Sequence, residues 1–498
     1  MNVCNTIVIV IGITKYCFRL LQEPHTAASA RPKTKFLMSL TIVLSMEEIL
    51  LPTMGSSCFP GDKEHSFMYR KIIGYLEAWK DNAHRKPLIL QGARQVGKTY
   101  SILEFGRTHY ENVAYFNFET NPRLSETFEE NISPDYLIPI LSHIAGQTIV
   151  REKTLVVFDE VQLCERALTS LKYFCENAPD YHIIAAGSLL GVAVNRTKFS
   201  FPVGKVDMKT LYPMDLEEFM YAMGEEALAG QIRKCFAADT PLPAALHDAA
   251  MQFYRQYLIV GGMPECVMQF AGTKDYILIR HTQDTILASY LNDMSKYNSL
   301  NEIKKTRLAY DNITVQLSRK NTRFQYKLIK KGGRASAFEN AIEWLCLSGI
   351  VSQVYKVEQI KKPLENYRDI DAFKIYVSDL GLLCAKKDLA ANDVLYMVEE
   401  INDFKGGMAE NYVNVQLGIN GYNTYYWESE RGAEIDFIIQ REGKLIPIEV
   451  KSADNTRAKS LKVYMETYKP EYAIKLSARN FGFENGKKTV PLYAAFCI

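Results

Sequence analysis

The chain of 498 residues is too long for one hydrophobic core, and its length favours about three domains of roughly 100–200 residues. Its composition, 47% hydrophobic and 23% charged, excludes a disordered or fibrous protein. The 59 basic and 57 acidic residues nearly cancel, so nucleic acid would have to be bound through a local basic patch. The ten cysteines form no CxxC pair, which indicates reduced thiols and a cytoplasmic location.

The first 66 residues differ in composition from the rest of the chain. Two apolar runs, 6–14 and 36–51, make poor membrane spans, because the first is too short and the second is interrupted by Glu47 and Glu48. We interpret residues 1–66 as a poorly structured extension that precedes a natural start at Met68, and we expect no membrane partner. The alternative is a peripheral membrane anchor.

A glycine-rich loop is the first segment with clear chemical information. An apolar run after Pro87 predicts a buried strand, and residues 92–99 follow as Gly-Ala-Arg-Gln-Val-Gly-Lys-Thr. Such a loop turns its backbone N–H groups towards phosphates, while Lys98 reaches the β and γ phosphates of ATP and Thr99 binds Mg²⁺. The alternative is a glycine turn with a surface lysine. The residues predicted to bind the nucleotide in this loop are Gly92, Ala93, Arg94, Gln95, Val96, Gly97, Lys98, Thr99 and Tyr100.

An acidic element follows the glycine-rich loop about 60 residues later. Residues 154–160 read Thr-Leu-Val-Val-Phe-Asp-Glu, which is a buried strand that ends in two carboxylates. At the carboxyl edge of a sheet, Asp159 would hold Mg²⁺ together with Thr99, and Glu160 would act as the general base that orients the attacking water. This string alone is weak evidence, but its spacing from the loop makes the pair specific.

Two more strands, 113–118 and 182–186, complete the expected sheet. Strands that alternate with helices predict an α/β fold with a doubly wound parallel sheet. Ser188 follows the last of these strands and is a candidate sensor of the γ-phosphate. The alternative role for Ser188 is a helix N-cap.

Several longer strings resemble one known family. They are GARQVGKTY, YFNFE, VFDEVQ, AAGSLLG, FPVGKV and LYPMDLEEF in the N-terminal half, and YLIVGGMPECV, YVSDLGLL and MAENYV further on. Together they cover about residues 68–498. The chain is similar to the prokaryotic AAA-like ATPases that are related to the archaeal ATPases and the STAND class.

The resemblance implies an ATPase with a C-terminal region of unknown function, and it implies homo-oligomers because AAA-like relatives often form rings. One position departs from the family pattern: relatives often carry arginine after the glycine of FPVGK, where this chain has Lys205. Lys205 and Arg196 are therefore both candidates for a positive charge at the γ-phosphate. The alternative is that both are ordinary surface cations.

The middle of the chain predicts a winged helix. Helical stretches are followed by strand-like pieces at 349–357 and 373–377, and a helix near Ser336 carries a regular apolar face. A basic cluster precedes this helix, of the kind that contacts DNA phosphates. The alternative is a solvated helix face. The basic residues are Lys327, Lys330, Lys331 and Arg334.

The last hundred residues contain a second group of candidate catalytic side chains. Asp436 lies in one predicted strand, and Glu449 and Lys451 share a face of the next one. With Glu410 from a preceding helix, they resemble the PD-(D/E)xK nuclease core, in which Asp436 and Glu449 would bind Mg²⁺ and Glu410 and Lys451 would support them. The alternatives are a nucleic-acid-binding scaffold without cleavage, and a cross-strand ion pair on a wet sheet face.

These observations predict five segments. They are an extension at 1–66, a P-loop AAA-like ATPase domain at 67–230, a helical connector at 231–299, a winged-helix-like domain at 300–395 and an α/β restriction-endonuclease-like domain at 396–498. The predicted function is ATP hydrolysis with Mg²⁺, coupled to a DNA-directed C-terminal half. The alternatives are an ATP-driven assembly switch that needs no nucleic acid, and an active DNA nuclease.

Overall fold

The computed structural model describes residues 68–188, 201–296, 300–319, 323–452 and 459–498. The described residues all belong to one compact unit, Met68–Ile498. The predictions for residues 1–66 and for Arg196 lie outside the described residues.

The first sheet contains five strands, all parallel, in the order β2-β3-β4-β1-β5. The predicted α/β parallel sheet is therefore confirmed. The fifth strand was not predicted, because its sequence, Asp-Met-Lys-Thr, is polar and lies half-buried at the edge of the sheet. The strands are β1 Leu88–Gln91, β2 Asn112–Asn117, β3 Thr154–Asp159, β4 His182–Gly187 and β5 Asp207–Thr210.

Both faces of this sheet are covered, which explains the continuous apolar runs of its strands. Successive residues of β3 alternate between two clusters: Leu155 and Val157 pack into one, and Val156 and Phe158 pack into the other. One of the covering helices precedes β1, and the others lie between successive strands in chain order. The covering helices are α1 Ile72–Asp81, α2 Lys98–His109, α3 Leu124–Glu130, α4 Pro134–Ala145 and α5 Glu165–Asn177.

A helical region follows, and its first helix is fixed by a capping box. The side chain of Asp215 accepts a hydrogen bond from the N–H of Glu218 at 2.8 Å, and Glu218 accepts one from the N–H of Asp215 at 3.2 Å. No helix in the described ranges is both long and apolar enough to cross a membrane. The helices are α6 Leu216–Ala222, α7 Glu226–Ala238, α8 Ala244–Val260, α9 Pro264–Thr273, α10 Tyr276–Lys296, α11 Leu300–Leu317, α12 Tyr326–Ile329 and α13 Ala335–Leu347.

The second sheet has eight strands in the order β12-β13-β11-β10-β9-β8-β6-β7. The first two strands in chain order, β6 and β7, form an antiparallel hairpin. β6 also pairs in parallel with β8, where Tyr355 lies opposite Tyr425. The sheet therefore continues across the boundary predicted between residues 395 and 396. The strands are β6 Val351–Val357, β7 Arg368–Val377, β8 Tyr425–Glu428, β9 Glu434–Arg441, β10 Lys444–Val450, β11 Ala473–Ser477, β12 Gly482–Glu484 and β13 Lys487–Pro491.

Of the four remaining helices, the two after residue 400 pack against this second sheet, and the other two pack against the helical region. The longest of them begins at Asn402 and buries most of its residues from Phe404 to Leu417. These helices are α14 Leu380–Lys386, α15 Ala391–Leu395, α16 Asn402–Ile419 and α17 Lys459–Tyr468, and 3₁₀ turns lie at Val161–Leu163, Leu364–Tyr367, Glu399–Ile401 and Leu492–Cys497.

Candidate nucleotide-binding site and C-terminal carboxylate cluster

The glycine-rich loop connects β1 to α2, as the sequence predicted, and two of its glycines are required by its path. A methyl group on Gly92 would lie 2.1 Å from the carbonyl oxygen of Leu211. Gly97 has a φ of 88°, in the left-handed region, and directly precedes α2. The loop thus reaches the N-terminus of a helix, where backbone N–H groups and the helix dipole favour anions.

Lys98 lies at the first position of α2, and its side chain turns back towards the loop. Its Nζ donates to the carbonyl oxygens of Gly92 at 2.9 Å and Ala93 at 2.8 Å. Burial lowers the pKa of the ammonium to about 8, although the nearby carboxylates of Glu160 and Asp159 favour its charged form. The ammonium therefore lies between the loop and the acidic end of β3.

Asp159 ends β3 and is held by donors from three directions. Its Oδ2 accepts hydrogen bonds from Thr99 Oγ1 at 2.8 Å and from the Tyr115 hydroxyl at 2.7 Å, and its Oδ1 accepts the N–H of Glu160 at 2.9 Å. The hydroxyl of Thr99 and the carboxylate of Asp159 are oxygen ligands of the kind that Mg²⁺ prefers. These two side chains therefore fit the predicted metal role.

Tyr115 was not predicted as a site residue. It lies near the carboxyl end of β2, the neighbour of β3, and its hydroxyl also accepts a hydrogen bond from Asn117 Nδ2 at 3.1 Å. Strand periodicity places Tyr115 and Asn117 on one face of the predicted strand 113–118, but it does not indicate that this face meets Asp159. Tyr115 positions the carboxylate of Asp159.

Glu160 occupies a left-handed backbone conformation, with a φ of 51°. Burial raises the pKa of its carboxyl, and the amide of Gln162 donates a hydrogen bond to Oε2. A raised pKa suits a group that has to take up a proton near neutral pH. The structure thus brings Lys98, Thr99, Asp159 and Glu160 together, and their catalytic roles stay predictions.

The other two candidate catalytic residues are Ser188 and Lys205, which lie at opposite ends of the parallel strands of the first sheet. Ser188 is buried and follows Gly187, which pairs with Gln91 immediately before the loop. Lys205 precedes β5, whose first residue is level with the start of β1, and its Nζ pairs with Glu176 at 2.9 Å. Because parallel strands place their carboxyl ends at one edge, Lys205 lies near the opposite, amino-terminal ends of β1 and β5. The role of Lys205 at the γ-phosphate stays a prediction.

Charged side chains join the loop to residues outside the first sheet. Arg70 is buried, and its Nη1 donates to the carbonyl oxygen of Val96 at 2.9 Å while its Nε pairs with Glu218 at 3.1 Å. Arg94 pairs with Asp293 of α10 at 2.8 Å. The loop is therefore fixed to the helical region through charged hydrogen bonds, which join residues too far apart in the chain to be predicted.

The loop also touches the second sheet. A methyl group on Gly349, which follows α13 and precedes β6, would lie 3.1 Å from the backbone nitrogen of Ala93. The hydroxyl of Ser378, directly after β7, donates to the carbonyl oxygen of Gly349 at 2.5 Å. Both ends of the β6–β7 hairpin therefore meet beside the phosphate loop.

The predicted C-terminal residues also come together in the second sheet. Asp436 and Glu449 lie next to the paired residues Phe437 and Ile448 of β9 and β10. Burial and the charge of Glu410 raise the pKa of Asp436 to about 7, although its Oδ2 accepts the N–H of Val450 at 2.7 Å. Lys451 Nζ pairs with Glu449 Oε1 at 2.9 Å.

One buried oxygen of this cluster has no hydrogen-bond partner among the residues that the structure describes. Glu449 is buried, and its Oε2 has no hydrogen-bond partner within the ranges that the structure describes. A buried carboxylate oxygen of this kind suits a cation ligand. Among the described residues, however, no group of three or more His, Cys, Asp or Glu side chains has a metal-binding arrangement. The metal role of Asp436 and Glu449 stays a prediction.

Glu410 lies on α16 and is held by two residues of β7 that the sequence analysis missed. Tyr376 donates its hydroxyl to Glu410 Oε2 at 3.0 Å, and the Nζ of Lys374 lies 3.4 Å from the same oxygen.

The basic cluster of the middle region is exposed in the structure, as a DNA contact would require. Its members are Lys327, Lys330, Lys331 and Arg334.

Comparisons with protein families agree with the first sheet and its loop. Residues 84–220 match a family described as an AAA domain. Residues 251–393 and 405–495 match two families described as domains of unknown function, DUF8612 and DUF4143. No curated protein matches the chain. The chain therefore contains an AAA-like P-loop ATPase domain, followed by two regions whose families have no assigned function.

Three solved structures are weakly similar to the chain. The Walker-type ATPase PABY2304 of Pyrococcus abyssi is 13% identical with a TM-score of 0.42, and the match covers 66% of this chain and 99% of that one. The ORC2 protein of Aeropyrum pernix is 12% identical with a TM-score of 0.35, over 70% of this chain and 96% of that one. RuvB of Thermotoga maritima is 14% identical with a TM-score of 0.27, over 57% of this chain and 87% of that one. With TM-scores this low, the three structures say nothing about the activity of this chain.

Proposed function

We propose that the protein hydrolyses ATP with Mg²⁺ and that the nucleotide state controls a DNA-directed C-terminal half. The observation that carries the first part is the connected group of Lys98, Thr99, Asp159 and Glu160 at one edge of a parallel sheet. Each of these side chains lies next to another of the group or next to the loop. ATP-binding loops and acidic strand ends of this kind act on the same phosphates.

Each residue has a separate role in this proposal. The loop N–H groups and Lys98 bind the phosphates and stabilise the negative charge that develops during transfer. Thr99 and Asp159 hold Mg²⁺, which neutralises phosphate charge when it is bound. Glu160 accepts a proton from the attacking water, and the raised pKa of its carboxyl supports this role.

The contacts of the loop with Gly349 and Asp293 support control of the C-terminal half by the nucleotide state. Ala93 packs against Gly349 at the base of the β6–β7 hairpin, and Arg94 is paired with Asp293 on α10. A movement of the loop upon nucleotide binding would therefore be transmitted to the hairpin and to the helices before it. Packed elements transmit such shifts because they deform little.

DNA contact is supported by the exposed basic cluster that precedes α13. Helices α11 to α13 followed by the β6–β7 hairpin have the element order of a winged helix, and a cluster of cations beside such a unit would bind phosphates. We expect duplex DNA to raise the rate of ATP turnover severalfold at low salt, and we expect the variant K330E/K331E to lose this effect. The measurement is phosphate release with and without DNA.

Two results separate this proposal from its alternative. The control variant K234E/K469E changes charge equally at two exposed lysines elsewhere and should keep the stimulation. Turnover that is indifferent to DNA, together with ATP-dependent assembly in light scattering, would instead support a switch that acts without nucleic acid.

A second candidate function is DNA cleavage by the C-terminal cluster. The observation that favours it is the buried Oε2 of Glu449, which has no partner in the described part of the chain and lies beside Asp436 and Lys451. Carboxylates with an adjacent lysine can bind a divalent cation and stabilise the charge of a phosphodiester transition state.

A plasmid-nicking assay with Mg²⁺ tests cleavage. We expect Asp436→Ala and Lys451→Ala each to reduce nicking by about a hundredfold or more, since each would remove a group that contacts the cation or the reacting phosphate. Lys444→Ala is the matched control. Lys444 begins β10, the strand that Lys451 directly follows, but it pairs with the exposed Glu471. Nicking that persists in both cluster variants would exclude this function.

A further inference from the structure

Lys374 is a buried lysine of the second sheet, on the strand that ends the strand order. It lies on β7, and only 1% of its side chain is exposed. Neither the nucleotide site nor the predicted nuclease residues include it. A lysine so deeply buried needs a specific reason, because removal of an ammonium group from water is costly unless it is paired.

Three carboxylates surround this ammonium group. Its Nζ lies 2.5 Å from Glu434 Oε1 and 3.4 Å from Glu410 Oε2, and Asp436 also acts on it through its charge. Burial disfavours the charged form, but the carboxylates outweigh it and raise the pKa of Lys374 well above its usual value. The two carboxylates within ion-pairing distance therefore stabilise the charged form of Lys374 inside the cluster.

The position of Lys374 matters for what the cluster can bind. Glu410 and Glu434 are ion-paired with Lys374, whereas Glu449 is paired with Lys451 through only one of its two oxygens. Glu410 and Glu434 therefore already have a cation partner, and a divalent metal ion at their oxygens would have to displace the ammonium group of Lys374.

We propose that Lys374 is a built-in cation of the C-terminal cluster, which stands in for a divalent metal ion between Glu410, Glu434 and Asp436. The cluster then has one remaining place for a divalent cation, beside Asp436 and Glu449. The cation place beside Asp436 and Glu449 rests on the second candidate function, whereas the role of Lys374 does not. The proposal also means that the β6–β7 hairpin completes the cluster, because Lys374 lies outside residues 405–495, the range that matches the C-terminal family.

The test is Mn²⁺ binding, measured by calorimetry and by electron paramagnetic resonance, with the full chain. Every protein carries Asp159→Asn, which removes the cation ligand of the nucleotide site. We expect Lys374→Met to bind one more Mn²⁺ than this background, or to bind it about tenfold more tightly. Lys374→Arg keeps the charge and should not gain Mn²⁺, and K374M/E410Q should lose the gain.

The stability of the variant gives a second readout. Lys374→Met leaves three carboxylates without their cation, so its melting temperature should fall, and Mn²⁺ should restore it because a ligand that binds only the folded state stabilises that state. Lys374→Gln also removes the charge but keeps a polar side chain, and it tests the same site in a less perturbed background. If neither variant gains Mn²⁺ affinity or Mn²⁺-dependent stability, the proposal is wrong.

The design separates this proposal from the nuclease candidate. Asp436→Asn/Glu449→Gln in the same background removes the place that the nuclease candidate requires. Mn²⁺ binding that this pair abolishes, without a gain in Lys374→Met, would support the candidate and overturn the role of Lys374. A gain in Lys374→Met when the background itself binds no Mn²⁺ would support the role of Lys374 and argue against cleavage.

Discussion

Replacement of Lys98 by alanine should abolish ATP turnover and weaken ATP binding. We expect turnover to fall by about a thousandfold and affinity by at least roughly tenfold, because a charged donor to phosphate is lost from a largely dehydrated site. The ammonium of Lys98 is buried and lies next to Asp159 and Glu160, so its loss also leaves their negative charge uncompensated near the phosphates. Phosphate release and the binding of a fluorescent ATP analogue measure the two effects.

The matched control for Lys98 is an exposed lysine of the same domain. Lys172 lies on α5 and contacts the ring of Tyr173 at the surface, so Lys172→Ala should leave both measurements unchanged. The thermal stability of Lys98→Ala should be compared with that of the parent in the absence of nucleotide. A folded Lys98→Ala protein with normal affinity and turnover would contradict the proposed ATP site.

Replacement of Glu160 by glutamine should separate binding from hydrolysis. The two side chains have the same shape, so the amide keeps the backbone conformation but cannot accept a proton from water. We expect the rate of the chemical step to fall by about a hundredfold to a thousandfold, with ATP affinity within about threefold of the parent. Single-turnover phosphate release measures the chemical step, and calorimetry with ATP measures the affinity.

Glu119 provides the control for Glu160. It is an exposed carboxylate that follows β2, and its charge acts on Glu160 from the neighbouring strand end. Glu119→Gln therefore tests whether loss of a nearby negative charge is enough to slow hydrolysis, and we expect less than a fivefold change, roughly what a surface charge contributes. If Glu160→Gln and Glu119→Gln behaved alike, Glu160 would not be the base.

The local signals in the sequence were sufficient for the core of the nucleotide site. Gly92 and Gly97 mark a turn that no larger residue can make, and the apolar run before Asp159 places that carboxylate at a strand end. Both signals are short-range, because glycine conformation and the burial of a continuous apolar strand depend on a few neighbouring residues. The loop and the acidic strand end therefore followed from sequence alone.

Contacts between residues that are far apart in the sequence were not predicted. Tyr115 is 44 residues from Asp159, and Arg94 is 199 residues from Asp293, so no local spacing connects them. Lys205 shows the reverse case: a string resembling a family motif suggested a role at the phosphates, but the parallel register places this residue at the other edge of the sheet. Which edge a residue reaches is decided by strand order.

The sequence by itself determined the phosphate loop, the acidic end of β3, the parallel α/β sheet and the strand pair that carries Asp436 and Glu449. Only the tertiary structure decided that the β6–β7 hairpin joins the C-terminal strands, that Gly349 rests against the loop, and that Lys374 lies among carboxylates from α16 and β9. The physical reason is that apolar periodicity records which face of an element is buried. It does not record which other element covers that face.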